Sequence, residues 1–187
     1  MKKIEILFLI LLGAGLLSCS TTEVDPVSPV ETNQIEVQEE QPAELSAEEE
    51  EFLRSTADVN VSIDVFKEDK KQVMKLISEL DEIMKDFNYD AWIKYVDRES
   101  IEYWSKKSNL QKAAARLPIK GLRLNNLKDY FVHVFVPSRV GRTIDEIRYE
   151  TETLVKAVQI DENRDTIYYN FQKINGQWKI HLPPLSE

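Results

Sequence analysis

The chain has 187 residues, a formal net charge of −9 and one cysteine, Cys19. A lone thiol excludes an internal disulfide framework, so the fold must stand on its hydrophobic core. The acidity is local: residues 20–58 hold twelve acids against Arg54 alone, whereas residues 59–187 hold twenty acids and twenty-one bases.

Lys2 and Lys3 precede an apolar run over residues 6–17. That run is short of the roughly 20 apolar residues a membrane-spanning helix needs. A basic start and a run of this length predict a secretory signal peptide over residues 1–18. Its ending, Leu16-Leu17-Ser18-Cys19, resembles the bacterial lipobox. The resemblance implies that Cys19 is lipidated, with a diacylglyceryl group and often an N-acyl chain, and becomes the first residue of the mature protein. More than one acyl chain is what stable anchoring requires. The expected location is a bacterial cell envelope, with the lipid in a membrane and the domain in the periplasm or at the cell surface. Nucleic acid is not an expected partner there.

Residues 19–58 are rich in Glu and Pro, with Pro26, Pro29, Pro42 and the run Glu48-Glu49-Glu50-Glu51, and hold no aromatic residue before Phe52. Such a composition cannot bury enough surface to offset the entropy of ordering. The segment reads as an acidic disordered tether, kept extended by self-repulsion and proline. Ser46 followed by Glu49 fits a capping box, so a short helix over residues 46–54 is an option within it.

Residues 59–187 have the size of one domain with one core. Val73, Leu76, Leu80, Ile83 and Phe87, widened by Ile77 and Met84, predict an amphipathic helix over residues 68–87. Asn88-Tyr89-Asp90 restarts a short helix carrying Trp92, Ile93 and Val96. A helix is expected over residues 109–116, ended by Pro118. Asn126 can cap another, bearing Leu127, Tyr130, Phe131, Val134 and Phe135, with Pro137 as its stop. Residues 130–136 would also suit a buried strand, and helix is the reading adopted. The period then changes to two. Ile147, Tyr149, Thr151, Thr153, Val155 and Ala157 alternate with charged residues as one long strand with a dry and a wet face. Ile167, Tyr169 and Phe171 mark the next strand, and Trp178, Ile180 and Leu182 the last. Asn175-Gly176 predicts a two-residue hairpin turn, which pairs Phe171 with Ile180.

Helices followed by an antiparallel meander predict an α+β domain with helices on one face of a curved sheet. The helix ending Phe87-Asn88-Tyr89-Asp90-Ala91-Trp92, the late strands and the closing Asn175-Gly176-Gln177-Trp178-Lys179-Ile180 resemble the NTF2-like (SnoaL-like) cone fold over residues 66–183. Enzymes of that family work in a pocket between sheet and helices, using a carboxyl of raised pKa and a tyrosine or acid. The resemblance makes Tyr149, Tyr169 and Trp178 candidate pocket-wall residues, with no inward carboxylate on the late strands.

Catalytic signatures are absent: there is no Gly-rich phosphate loop, His-Glu-x-x-His, cysteine metal spacing or serine elbow. No cofactor and no metal is expected. His181 is expected to face solvent beside Asn170, and His133 to sit in an apolar run as a core or edge residue. One charge feature stands out. Nine bases from Lys106 to Arg142 face Asp129 alone, a local +8. Lys112, Arg116, Lys120 and Arg123 are its candidate anion-binding residues. Three readings follow. One is a membrane-anchored, non-enzymatic binding or assembly domain with an anionic or envelope-protein partner. The second is an NTF2-like pocket enzyme or small hydrophobic ligand-binding protein. The third is a structural lipoprotein dimerising through its outer sheet face. An inward Asp or Glu beside Tyr149 or Tyr169 would favour the enzyme, and a closed core would exclude it.

Overall fold

The computed structural model describes residues 45–162 and 164–186, so the expected signal peptide, Cys19 and the expected tether up to residue 44 lie outside the described residues. The first described element is the capping-box helix α1 (Ala47–Ser55): Ser46 Oγ accepts from the Glu49 amide, and the Glu49 carboxylate accepts from the Ser46 amide. This helix is packed. Phe52 meets Phe66 edge to face at 5.6 Å, Ser55 and Thr56 are buried, and Glu48 and Glu51 pair with Lys67 and Lys70. Residues 47–58 therefore belong to the folded unit, and the domain boundary expected at residue 59 is corrected accordingly. The acids of residues 48–51 looked self-repelling in isolation; lysines of the next helix oppose two of them.

That helix, α2 (Ile63–Lys85), buries Phe66, Asp69, Val73, Leu76, Ile77, Leu80 and Met84 on one stripe. Phe87, expected on the stripe, lies beyond the helix end at φ 51° and is exposed. The Phe87 amide bonds the Met84 carbonyl and the Asn88 amide the Ile83 carbonyl, a Schellman closure built on a non-glycine residue. Asn88 then caps α3 (Tyr89–Trp92), whose Trp92 is fully buried. A further helix, α4 (Arg98–Trp104), is capped by Asp97 and was not foreseen.

After α5 (Lys107–Arg116), Asn126 caps α6 (Leu127–Tyr130). The next turn widens to a π-helix (Phe131–Phe135) and runs on into α7 (Val136–Arg139). Helix, not strand, is thus found over residues 130–136, and Pro137 does not stop it. A proline ring crowds the carbonyl four residues earlier and offers no amide; here the helix widens just ahead of Pro137, and the Ser138 hydroxyl bonds the Val134 and Phe135 carbonyls. His133 of this segment is exposed, not a core residue.

Four antiparallel strands follow in the order β1 (Glu146–Thr151), β2 (Leu154–Gln159), β3 (Thr166–Ile174), β4 (Gln177–His181). The single long strand expected over residues 147–157 is a hairpin instead. A bulge between Tyr149 and Thr151 pairs Ile147 with Ala157 and Tyr149 with Val155, so the alternation continues through the turn and concealed it. The last hairpin has the expected register, Phe171 with Ile180, with Asn175 and Gly176 both at positive φ. A second bulge, between Ala157 and Val158, takes Ile167 off the apolar face, and it is exposed. The inner face buries Ile147, Tyr149, Val155, Ala157, Tyr169, Phe171, Trp178 and Ile180 in one core with α2, Trp92, Phe131 and Phe135. Across the outer face run Arg148, Lys156, Asn170 and His181. Both sheet edges are attended: α1 lies beside β1, and residues 95–97 bond β4 through Tyr95 O, Ile180 and Asp97 N. The architecture is α+β, as expected.

Candidate functional site

The inner sheet face does meet a carboxylate, and it comes from a helix. Asp69, 1 % exposed on the α2 stripe, accepts from Tyr149 Oη at 2.7 Å, Lys173 Nζ at 2.6 Å and Trp178 Nε1 at 3.3 Å. Lys173 shares the inner face because it lies in phase with Tyr169 and Phe171 and pairs with Trp178. Burial, then the bond to the Asp69 carboxylate, pushes the Tyr149 hydroxyl far above its ordinary range; burial does the same for Tyr169. Of the expected pocket wall, Tyr149 and Tyr169 are thus buried and neutral, while Trp178 also edges a surface hollow with Tyr95 and Glu79. Three donors of the chain itself occupy this one carboxylate. The cluster locks α2 to the hairpin.

His181 is also paired. Its Nδ1 lies 2.7 Å from Asp97 Oδ2, while Asp97 Oδ1 accepts from the Ser100 amide at 2.6 Å. His181 lies on the outer face beside Asn170, as expected, but its side chain is only 20 % exposed, beside a hollow shared with Glu99, Glu102 and Gln172. Asp97 caps α4 and Ser100 Oγ accepts from the Leu182 amide at 2.7 Å, which makes this a joint between β4 and α4.

The basic segment behaves differently. Lys112, Arg116, Lys120 and Arg123 are all exposed. Lys112 and Arg116 lie four apart on α5 and so share a helix face, while Lys120 borders a hollow with Gln111 and Pro118. Among the described residues, none of the nine bases from Lys106 to Arg142 makes a salt bridge, whereas nine other bases of the unit do. Asp129, the acid within the segment, is occupied at home: its carboxylate accepts from the Asn125 amide at 2.8 Å.

The structure also brings together cations that sequence spacing left apart. Arg116 of α5 and Arg139 of α7 line one cavity of about 360 Å³, and Arg142 lies over the ring of Tyr168, another of its walls. The Arg139 guanidinium stacks 4.0 Å from the Phe135 ring centroid and 5.3 Å from that of Tyr169. Its Nη1 donates to Ser138 Oγ and the Phe135 carbonyl, and its buried Nε has no partner. Burial holds this guanidinium below its usual pKa. Arg139 was counted in the basic segment but not singled out; its position two residues after Pro137, at the end of an aromatic helix, was the available signal. Among the described residues, no group of three or more His, Cys, Asp or Glu could hold a metal ion.

The chain is similar to an uncharacterized lipoprotein of Treponema pallidum (strain Nichols), with 30 % identity over 122 residues, or 65 % of this chain and 65 % of that protein. The match spans less than two thirds of the relative's length, and the likeness supports a bacterial lipoprotein with an envelope location. No protein-family model and no solved structure matches it. Among the described residues, no helix is long and apolar enough to cross a membrane.

Proposed function

We propose that this protein is a membrane-anchored, non-enzymatic binding module of the bacterial envelope whose partner is anionic. The observation that carries the reading is the run of nine bases from Lys106 to Arg142 without a salt bridge among the described residues, in a unit that pairs most of its other cations. Unpaired surface cations keep their field available to a partner. The nearest anionic surface for a lipid-anchored domain is the head-group layer beneath it. Lys112, Lys120 and Arg123 serve as the outer contacts in this reading, and Cys19 as the anchor. The NTF2-like cone belongs to the same reading, supported by helices packed on one face of a curved sheet. The enzyme alternative has the inward Asp69 in its favour, yet that carboxylate is occupied by Tyr149, Lys173 and Trp178. A homodimer through the outer sheet face has less support, because that face presents Lys156, Asn170 and His181.

The test uses the chain from residue 20, without lipid, on vesicles of zwitterionic lipid with and without anionic lipid. Binding is expected only to the anionic vesicles and is expected to fade as salt shortens the Debye length from about 10 Å at 0.1 M toward about 3 Å at 1 M. Equal binding to both vesicle types, or binding indifferent to salt, contradicts the reading.

A further inference from the structure

The cavity holding Arg116 and Arg139 has two kinds of wall. Trp104, Val134, Ile167 and Leu185 supply apolar or aromatic wall and the two arginines supply charge, and among the described residues no carboxylate lines it. Arg139 sits there at a cost. A guanidinium partly withdrawn from water without an acid partner loses hydration that hydrogen bonds to neutral groups replace only in part. Five N–H groups are available on it, yet among the described residues only its Nη1 bonds, to Ser138 Oγ at 2.8 Å and the Phe135 carbonyl at 3.3 Å, while Nε is buried without a partner. The stacking on Phe135 and Tyr169 holds the group in place without neutralising it. Two other half-buried cations each meet an acid: Lys173 meets Asp69 and Arg148 meets Asp165.

The placement has a backbone cause. The π-turn over Phe131–Phe135 adds a residue to the helix ahead of Pro137, which carries α7 past the proline and sets Arg139 one turn above Phe135. Insertions of this kind recur at functional sites. Arg116 reaches the same cavity from α5 and holds the Ser186 carbonyl at 2.8 Å, so the segment after β4 forms part of the wall.

We infer that this cavity binds a small anionic amphiphile, its carboxylate or phosphate head on Arg139 and Arg116 and its hydrocarbon tail among Trp104, Val134 and Leu185. The volume of about 360 Å³ lies in the range of small-molecule sites. A head group of this class supplies the charge and the acceptors that Arg139 lacks, and a tail supplies apolar contact that water cannot. The site is separate from the outer contacts Lys112, Lys120 and Arg123, and either can fail without the other.

The chain from residue 20 is titrated, by calorimetry and by Trp fluorescence, with dodecanoate, dodecyl phosphate, dodecanol and dodecyltrimethylammonium below their micelle concentrations. One-to-one binding of an anionic ligand is expected, at least about tenfold tighter than dodecanol, as a charge-assisted hydrogen bond implies. The carboxylate and phosphate arms tell a fatty-acid source from a phospholipid-like one. Arg139→Gln should lose about the same factor, and Arg139→Lys should recover part of it. The triple variant Lys112→Glu, Lys120→Glu, Arg123→Glu should bind the amphiphile as the parent does, whatever it does to vesicle binding. If Arg139→Gln does not fold, the head-group series on the parent chain decides alone. Equal affinity for dodecanoate, dodecyl phosphate and dodecanol, preference for the cationic ligand, or no saturable binding of any of the four overturns the inference.

Discussion

The region built from α1, α2 and the sheet and the region from α5 to α7 carry comparable numbers of cations and use them in opposite ways. In the first, Lys67, Lys70, Arg54 and Arg148 each meet a carboxylate, and the Glu146 side chain, 1 % exposed, is held between Arg54 and Arg148. Arg148 is lodged partly out of water, which opposes its charge, but its bonds to Asp165 and Glu146 outweigh that and raise its pKa. In the second, cations outnumber acids nine to one and none is paired among the described residues. Charge in the first region specifies how elements dock: Asp69 ties α2 to the hairpin and Glu146 ties α1 to β1. Among the described residues no acid answers the charge of the second region: Arg116 and Arg139 meet neutral groups, and Lys112, Lys120 and Arg123 are exposed.

The largest expected effect lies in the paired region. Asp69→Ala leaves the half-buried Lys173 and the buried Tyr149 hydroxyl unanswered, and urea denaturation should register a loss of about 3–5 kcal/mol. A loss below about 1 kcal/mol would mean that the cluster is not a structural joint. A chain starting at residue 59 should be less stable than one starting at residue 45 by about 2–3 kcal/mol, the burial of a side chain like Phe52 with exposed ion pairs adding little. Coincident midpoints would return residues 47–58 to the tether. The buried tyrosines sharpen the comparison through pH. Tyr149, Tyr169 and Tyr130 all have folded pKa values raised above the ordinary value near 10, by burial first. Both states stay protonated below about pH 10; above it the unfolded chain releases protons that the folded chain retains, so stability falls as pH rises. Thermal midpoints that hold level well beyond pH 10 would show these hydroxyls titrating freely.

Much of the fold was legible. The stripe of α2, the Asn88 and Asn126 caps and the Asn175-Gly176 turn are local features, each written within a few residues. The misses arose where a local rule was satisfied by something distant. Residues 48–51 read as a repelling run because Lys67 and Lys70 cannot be seen to face them from composition. The β1–β2 hairpin was hidden because a bulge kept the alternation in step across the turn. Asp69 and Lys173 were each visible as a charge in an apolar phase, one on a helix stripe and one on a strand face; treating two such misfits as partners would have found the joint. The cavity was illegible, since Arg116 and Arg139 meet only through the course of α5, the π-turn and the segment after β4. Pro137 inside an aromatic helix was its one advance sign.

The central claim is that unpaired cations, not total charge, carry the binding. The most direct measurement compares two triple variants of equal net charge on anionic vesicles. Lys75, Lys85 and Arg98 each pair with a glutamate on their own helix; Lys112, Lys120 and Arg123 pair with none among the described residues. Reversing the first three to Glu should leave vesicle affinity within about threefold, because those charges are already compensated. Reversing the second three should weaken it by about a hundredfold or more, at about 1 kcal/mol for each cation near an anionic surface. Equal losses in the two variants would contradict the account and reduce the basic segment to its contribution to net charge.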